Sequence, residues 1–266
     1  AGALADAAAL AFQPARDPRI PGGAASIVCV KTNLSTQSEL TLQGTGVGYA
    51  SITSSNAAPF ELTSGLTLDV DVDAGGPATA TFTGTAATKA GAAATYASPD
   101  TKTLLIKVNG GTTQTFTATA ASSAAAGLAA EINAQITGLS AVVNGTEVDL
   151  VSDLKGTGAS IQVTGGTGVA TFGQAAATAS GGGNVANIAA VTAAEFITIV
   201  YLALSGDADV TGTSTVTITS LLAGAGSSIE VTGGTAQAIF GFDGDLHEGE
   251  DPVDVMTLTS LEYGVH

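Results

Sequence analysis

The chain has 266 residues and a formal net charge of −16, with seven Lys and Arg against 23 Asp and Glu. Such a polyanion is repelled by nucleic acid and by anionic lipid, which argues against both as direct partners. Its apolar share is 45%, much of it Ala, and aromatics make up only 5%; this composition favours many short strands and turns over a few aromatic-rich layers, in one large or two small domains.

In chain order, the opening AGALADAAALAF lacks the basic n-region of a signal peptide. With no initiator Met and a strand-like end, TLTSLEYGVH, the chain is expected to be a fragment of a longer polypeptide. The sole cysteine, Cys29, sits in the apolar run SIVCVK and is expected to be a buried strand residue. The stretch LTLDVDVDAGGPATATFTGTA (66–86) reads as a strand, a Gly-Gly turn and a second strand carrying Phe82. LLIKVNGGTTQTFTATA (104–120) repeats that pattern with Phe116.

A helix is expected near 123–136, with Leu128, Ile132 and Ile136 on one face and Glu131 in the place that Glu195 takes in a later helix. Next comes a hairpin, AVVNGTEVDLVSDLKGTG (141–158), with Gly145 at its turn and Ser152 near its end. GASIQVTGGTGVATFG (158–173) follows. A second helix–hairpin–phrase series then runs to position 241. VTAAEFITIVYLAL (191–204) carries a capping box, Thr192 with Glu195, and a Val191–Phe196 staple. ADVTGTSTVTITSLLAGAG (208–226) is its hairpin, with Gly212 and Ser220, and GSSIEVTGGTAQAIFG (226–241) its phrase. The two phrases align without a gap at an offset of 68, with 11 of 16 positions identical. FITIVYLAL is too short to cross a membrane.

The order is therefore hairpin, hairpin, helical half, helical half. An isolated hairpin is marginal in water, so the early hairpin and the late half each need a partner. Nesting supplies it. The expected organisation is an inner module at 99–178, inserted in an outer module made of 59–97 and 184–243, itself inserted in a partial parent domain at 1–58 and 244–266. The fold class expected is mainly β with two helices (α+β). The Gly-Gly-Thr phrase reads as backbone geometry, with Phe172 or Phe240 closing the unit; the chain has no Gly-Lys-Ser or Gly-Lys-Thr to make a phosphate loop.

Candidate chemistry is sparse. Asp69, Asp71 and Asp73 alternate on one strand and share a face, but Ala74 and Ala80 stand where an EF-hand requires Gly and Glu; a solvated face is expected. DGDLHEGED (243–251) gathers Asp243, Asp245, His247, Glu248, Glu250 and Asp251, residue types that ligate divalent ions, yet it reads better as an exposed loop. There are two His, and His266 is terminal. No nucleophile elbow and no distinguished carboxylate pair is present. Asn33 and Asn144 match the glycosylation pattern, which is short enough to arise by chance. No catalytic, cofactor-binding or metal-binding residue is therefore assigned, and no enzyme is expected.

PARDPRIPGGAASIVCVKTNLSTQSELTL (14–42) and VDVMTLTSLEYGVH (253–266) resemble the subunit of contractile phage tail sheaths, in which a strand ending in basic-x-Asn and Thr-Gln-small leads to a second strand and an acidic- or aromatic-x-Gly turn. The repeats, with Gly-Asn-Val-x-Asn-Ile and Ser-Ile-x-Val-x-Gly-Gly-Thr, look like small modules inserted in phage structural proteins. The resemblance implies a structural virion protein of the phage tail that polymerises with copies of itself around a tail tube protein, its insertions projecting outward. From charge, apolar run length and the missing motifs, no cofactor, no nucleic-acid partner and no membrane insertion is expected. The alternative is a fibre, decoration or adhesin module that binds host glycans.

Overall fold

The computed structural model describes residues 39–43, 48–251 and 255–259. Cys29, Asn33, His266 and most of both sheath-like flanks lie outside these residues. The strands are β1 (Glu39–Gln43), β2 (Tyr49–Thr53), β3 (Leu66–Val72), β4 (Ala78–Phe82), β5 (Gly84–Lys89), β6 (Thr103–Val108), β7 (Gln114–Thr117), β8 (Leu139–Asn144), β9 (Glu147–Lys155), β10 (Ser160–Gly165), β11 (Ala177–Ser180), β12 (Gly182–Gly183), β13 (Ala208–Gly212), β14 (Val216–Ala223), β15 (Ser228–Gly233), β16 (His247–Glu248) and β17 (Val255–Thr259). Helices α1 (Ala125–Gln135), α2 (Ala193–Ala203) and a four-residue α3 (Gln237–Phe240) complete a mainly β, α+β chain. The sequence had marked two helices; α3 is the third, too short to show a period of its own.

The described residues fall into two compact units, one of 49–222 and 226–248, the other of 39–43, 48, 223–225, 249–251 and 255–259. In the smaller unit β1 and β17 form an antiparallel pair, Glu39 opposite Thr259 and Gln43 opposite Val255. There the Gly48 N–H donates to the Glu250 carbonyl at 2.9 Å, and the Gly224 N–H to the Gly48 carbonyl at 2.9 Å.

The larger unit holds two separate hydrophobic cores. One is drawn from residues 50–82 and 185–242 and includes Phe60, Phe82, Phe196, Phe240 and Phe242. The other is drawn from residues 87–172 and includes Leu104, Ile106, Phe116, Leu128, Ile161 and Phe172. Each core lies among the same parts in the same order. One sheet runs β16-β15-β3-β4 around the first core and β11-β10-β6-β7 around the second. The other runs β2-β14-β13 around the first and β5-β9-β8, extended by β12, around the second. Each unit thus reads strand, hairpin, helix, hairpin, strand, strand. Period-two alternation makes this possible: β3 buries Leu68, Val70 and Val72, and β6 buries Leu104, Ile106 and Val108.

Both repeats are longer than their most legible parts. Residues 84–97, expected with the outer module, lie instead with the inner core: β5 pairs with β9, Ala87 is fully buried there and Tyr96 packs against it. Residues 49–58, expected with the parent domain, lie with the outer core: Ala50 and Ile52 are buried in it, and the Ser54 N–H donates to the Val216 carbonyl at 2.9 Å. His247 and Glu248 likewise extend the outer sheet by pairing with Ile229 and Ser228. These added strands, YASIT and GTAATK, are rich in Ala, Ser and Thr and carry too little apolar contrast to be picked out by alternation alone.

Candidate functional site

The two Gly-Gly-Thr phrases occupy equivalent places and do the same structural work. Pairing of β10 with β6 shifts register between Val163 and Gly165, and pairing of β15 with β3 shifts between Val231 and Gly233. A β-bulge thus falls at the last residue of each ladder, the first glycine of the phrase, and the second glycine and the threonine carry the chain out of the strand. Just past the bulge the chain lies directly on the neighbouring strand. A Cβ on Gly166 would stand 2.2 Å from the Thr103 carbonyl oxygen, and one on Gly234 2.5 Å from that of Thr67; both glycines have positive φ, 121° and 100°.

The threonine then locks the contact. The Thr103 N–H donates to Thr167 Oγ1 at 3.0 Å, and the Thr67 N–H to Thr235 Oγ1 at 2.9 Å. The following backbone amides, Gly168 and Ala236, donate to the Thr103 and Thr67 carbonyls, each at 2.8 Å. In the second copy α3 follows, although no helix was expected after the glycines. Its four residues deliver Phe240 to the core.

The aspartate triplet is spent on the protein's own backbone and hydroxyls. Asp69 Oδ1 accepts from Thr79 Oγ1 at 2.6 Å, and Asp71 Oδ1 from the Gly76 N–H at 3.1 Å. Asp73 stands just past β3 with φ 53°; it accepts from the Ser228 N–H at 2.8 Å and lies 2.9 Å from Ser220 Oγ. Asn109, with φ 51°, makes the equivalent clamp in the inner module, accepting from the Ser160 N–H at 3.0 Å. Asp73 is thus a strand-end clamp whose twin is an amide. Among the described residues no three His, Cys, Asp or Glu side chains converge as metal ligands would.

The acidic loop also resolves into local bonds. His247 Nε2 lies 2.9 Å from Asp243 Oδ1, which also accepts the Asp245 N–H at 3.3 Å. The imidazole contact holds the Asp243 carboxyl below its ordinary value against the opposing effect of burial, with a smaller contribution from that N–H. Asp251, in the smaller unit, accepts the Ala225 N–H at 2.9 Å. Asn144, the described glycosylation match, donates to Asp149 Oδ2 at 3.0 Å.

Two glutamates act as anchors. Burial raises the affinity of Glu195 for a proton, but the N–H groups of Ala186 (2.6 Å) and Thr192 (2.9 Å) and the Thr192 hydroxyl (2.8 Å) outweigh it, and its carboxyl sits below the ordinary range. The expected capping box is formed, with Thr192 Oγ1 accepting the Glu195 N–H at 3.3 Å. Burial acts likewise on Glu131 and is likewise outweighed, by the hydroxyls of Ser122 and Thr119 and the Thr119 N–H. The expected equivalence of the two holds for the task and not for the position: Glu131 lies in the second half of α1 and reaches back to the preceding 3-10 turn, Ala120–Ser123.

One concave feature lies where the inner and outer modules meet. It is a shallow cleft of about 260 Å³, lined by Leu62, Thr63 and Ser64, by Asp153 and Lys155, and by Asn187, Ile188 and Ala189. Its volume falls below the roughly 300–1,000 Å³ of small-molecule sites. Nothing in the sequence marked it, because its walls come from three separated segments. Compared with protein-family profiles, with curated proteins and with solved structures, the chain finds no match. No described helix is long and apolar enough to cross a membrane.

Proposed function

We propose that the chain is a structural virion protein, part of a contractile tail sheath subunit whose paired modules decorate the exterior. The observation that carries this reading is architectural. Residues 49–248 leave and return in sequence between two strands, β1 and β17, that pair with each other, as an ornament inserted in a scaffold does. Within that span Asp69, Asp71, Asp73, Glu131 and Glu195 are engaged by hydroxyls and backbone N–H groups of the chain itself. The strong negative charge suits a surface displayed at high copy number, where like-charged neighbours repel. In this reading the partners are copies of the same chain and a tail tube protein.

The test is cryo-microscopy of the assembled particle. This chain is expected in a repeating outer layer along the tail; a single location at a fibre or baseplate would contradict the proposal. The glycan-binding alternative draws on exposed Tyr201 and its exposed neighbour Leu202, since an aromatic face can pack against a sugar. A glycan array on residues 49–248 separates the two readings, and specific binding favours the alternative.

A further inference from the structure

The modules differ in continuity: the outer one is interrupted and the inner one is continuous. Their equivalence places that interruption at a defined peptide bond. The inner chain runs Phe116-Thr117-Ala118-Thr119 without a break, as FTATAASSAAA (116–126). The outer chain reads Phe82-Thr83, departs into the inner module, and resumes as ANIAAVTAA (186–194). Ala118 answers to Ala186 at the same offset of 68 that relates the Gly-Gly-Thr phrases. The geometry after the joint agrees. Thr119 caps the 3-10 turn Ala120–Ser123 by accepting the Ala121 N–H at 3.1 Å, and Asn187 caps the turn Ile188–Ala190 by accepting the Ala189 N–H at 3.1 Å.

We propose that the Thr117–Ala118 bond is a second port of insertion, so that the inner module is itself built to carry a folded guest. Both sides of this bond are held by contacts that do not depend on it. Before it, Thr117 is gripped by the Gln135 amide, which accepts the Thr117 N–H at 2.9 Å and donates to its carbonyl at 3.0 Å. After it, the Ala118 N–H donates to the Lys102 carbonyl at 2.8 Å and the Ala118 carbonyl accepts the Thr101 N–H at 2.9 Å. The occupied port of the outer module is secured in the same manner. Asn184 accepts the Thr83 N–H at 2.7 Å, and the Ala186 N–H donates to Glu195 at 2.6 Å.

The occupied port also shows what a guest must supply. Its entry and exit lie side by side, Gly84 opposite Gly183 and Thr85 opposite Gly182. A guest whose termini are adjacent spans a held gap without stretching either flank, and the entropy of a longer connection grows only slowly with its length.

The experiment inserts a small, independently folding domain with adjacent termini between Thr117 and Ala118 of the full chain. Amide exchange is followed at Leu104, Ile106 and Ile161. Protection within about tenfold of the parent chain is expected. The same guest placed between Gly165 and Gly166, at the end of β10 where the chain lies on Thr103, is expected to abolish that protection. Loss of protection on insertion at 117–118 overturns the proposal. Equal tolerance at 165–166 also overturns it, because the joint would then have no special status.

Discussion

The ring of Phe82 stacks on that of Phe196, with centroids 5.9 Å apart and planes inclined by 23°, although the whole inner core lies between them in sequence. Phe240 completes the group, 5.2 Å from Phe82 and 4.8 Å from Phe196. The early hairpin and the late helical half therefore share one aromatic centre. Phe82→Ala or Phe196→Ala is expected to cost about 3–5 kcal/mol. The double variant should cost less than the sum, since the second truncation removes a contact already lost. Denaturant unfolding of the four proteins checks this, and amide protection at Leu104 and Ile106 should stay at its parent level in all of them.

The second glycines of the two phrases offer a matched pair of perturbations. Gly166→Ala and Gly234→Ala each place a Cβ against a backbone carbonyl in a left-handed conformation. Strain and overpacking together should cost roughly 2–5 kcal/mol. Amide exchange should show the loss in the inner core for Gly166→Ala and in the outer core for Gly234→Ala. A uniform loss in both would contradict the separateness of the two cores.

Asp73 should behave as a clamp and not as an ion ligand. Asp73→Asn reproduces the chemistry of Asn109 and is expected to change stability by less than about 1 kcal/mol. Asp73→Ala leaves the Ser228 N–H without its acceptor and should cost about 1–3 kcal/mol. Thermal unfolding with and without added calcium checks the companion expectation of no calcium-dependent shift for the parent chain.

Glu195 gives the chain an acid-sensitive joint. Its carboxyl is held below the ordinary glutamate value of 4.5 in the fold. Its stabilising effect is therefore fully present above that value and is lost as pH falls through the lower, folded-state value. Glu195→Gln should be less stable than the parent at neutral pH, and the gap should start to close below about pH 4.5. A gap that stays constant down to acid pH would show that charge has no part in the anchor.

Much of this was legible in the sequence where pattern is local. The capping box of Thr192 and Glu195, the two hairpins carrying Phe82 and Phe116, and the repeated phrase all follow from spacing within a few residues. What escaped depends on partners far along the chain. YASIT and GTAATK are strands because β14 and β9 receive them, and little in their own composition says so. Gly-Gly-Thr reads as backbone geometry, but its close approach to Thr103 and Thr67 shows only once the neighbouring strand is placed beside it. Asp69, Asp71 and Asp73 alternate as ligands would, yet Thr79, Gly76, Ser220 and Ser228 reach them from elements whose register no local pattern fixes.

The most direct test removes residues 84–185 and joins Thr83 to Ala186, recreating in the outer module the continuous joint that the inner module has at Thr117–Ala118. The shortened protein is expected to unfold cooperatively and to keep amide protection at Leu68, Val70, Ile229 and Val231. A chain that loses protection at all four positions would contradict the claim that the early ribbon and the late half complete each other without the segment between them.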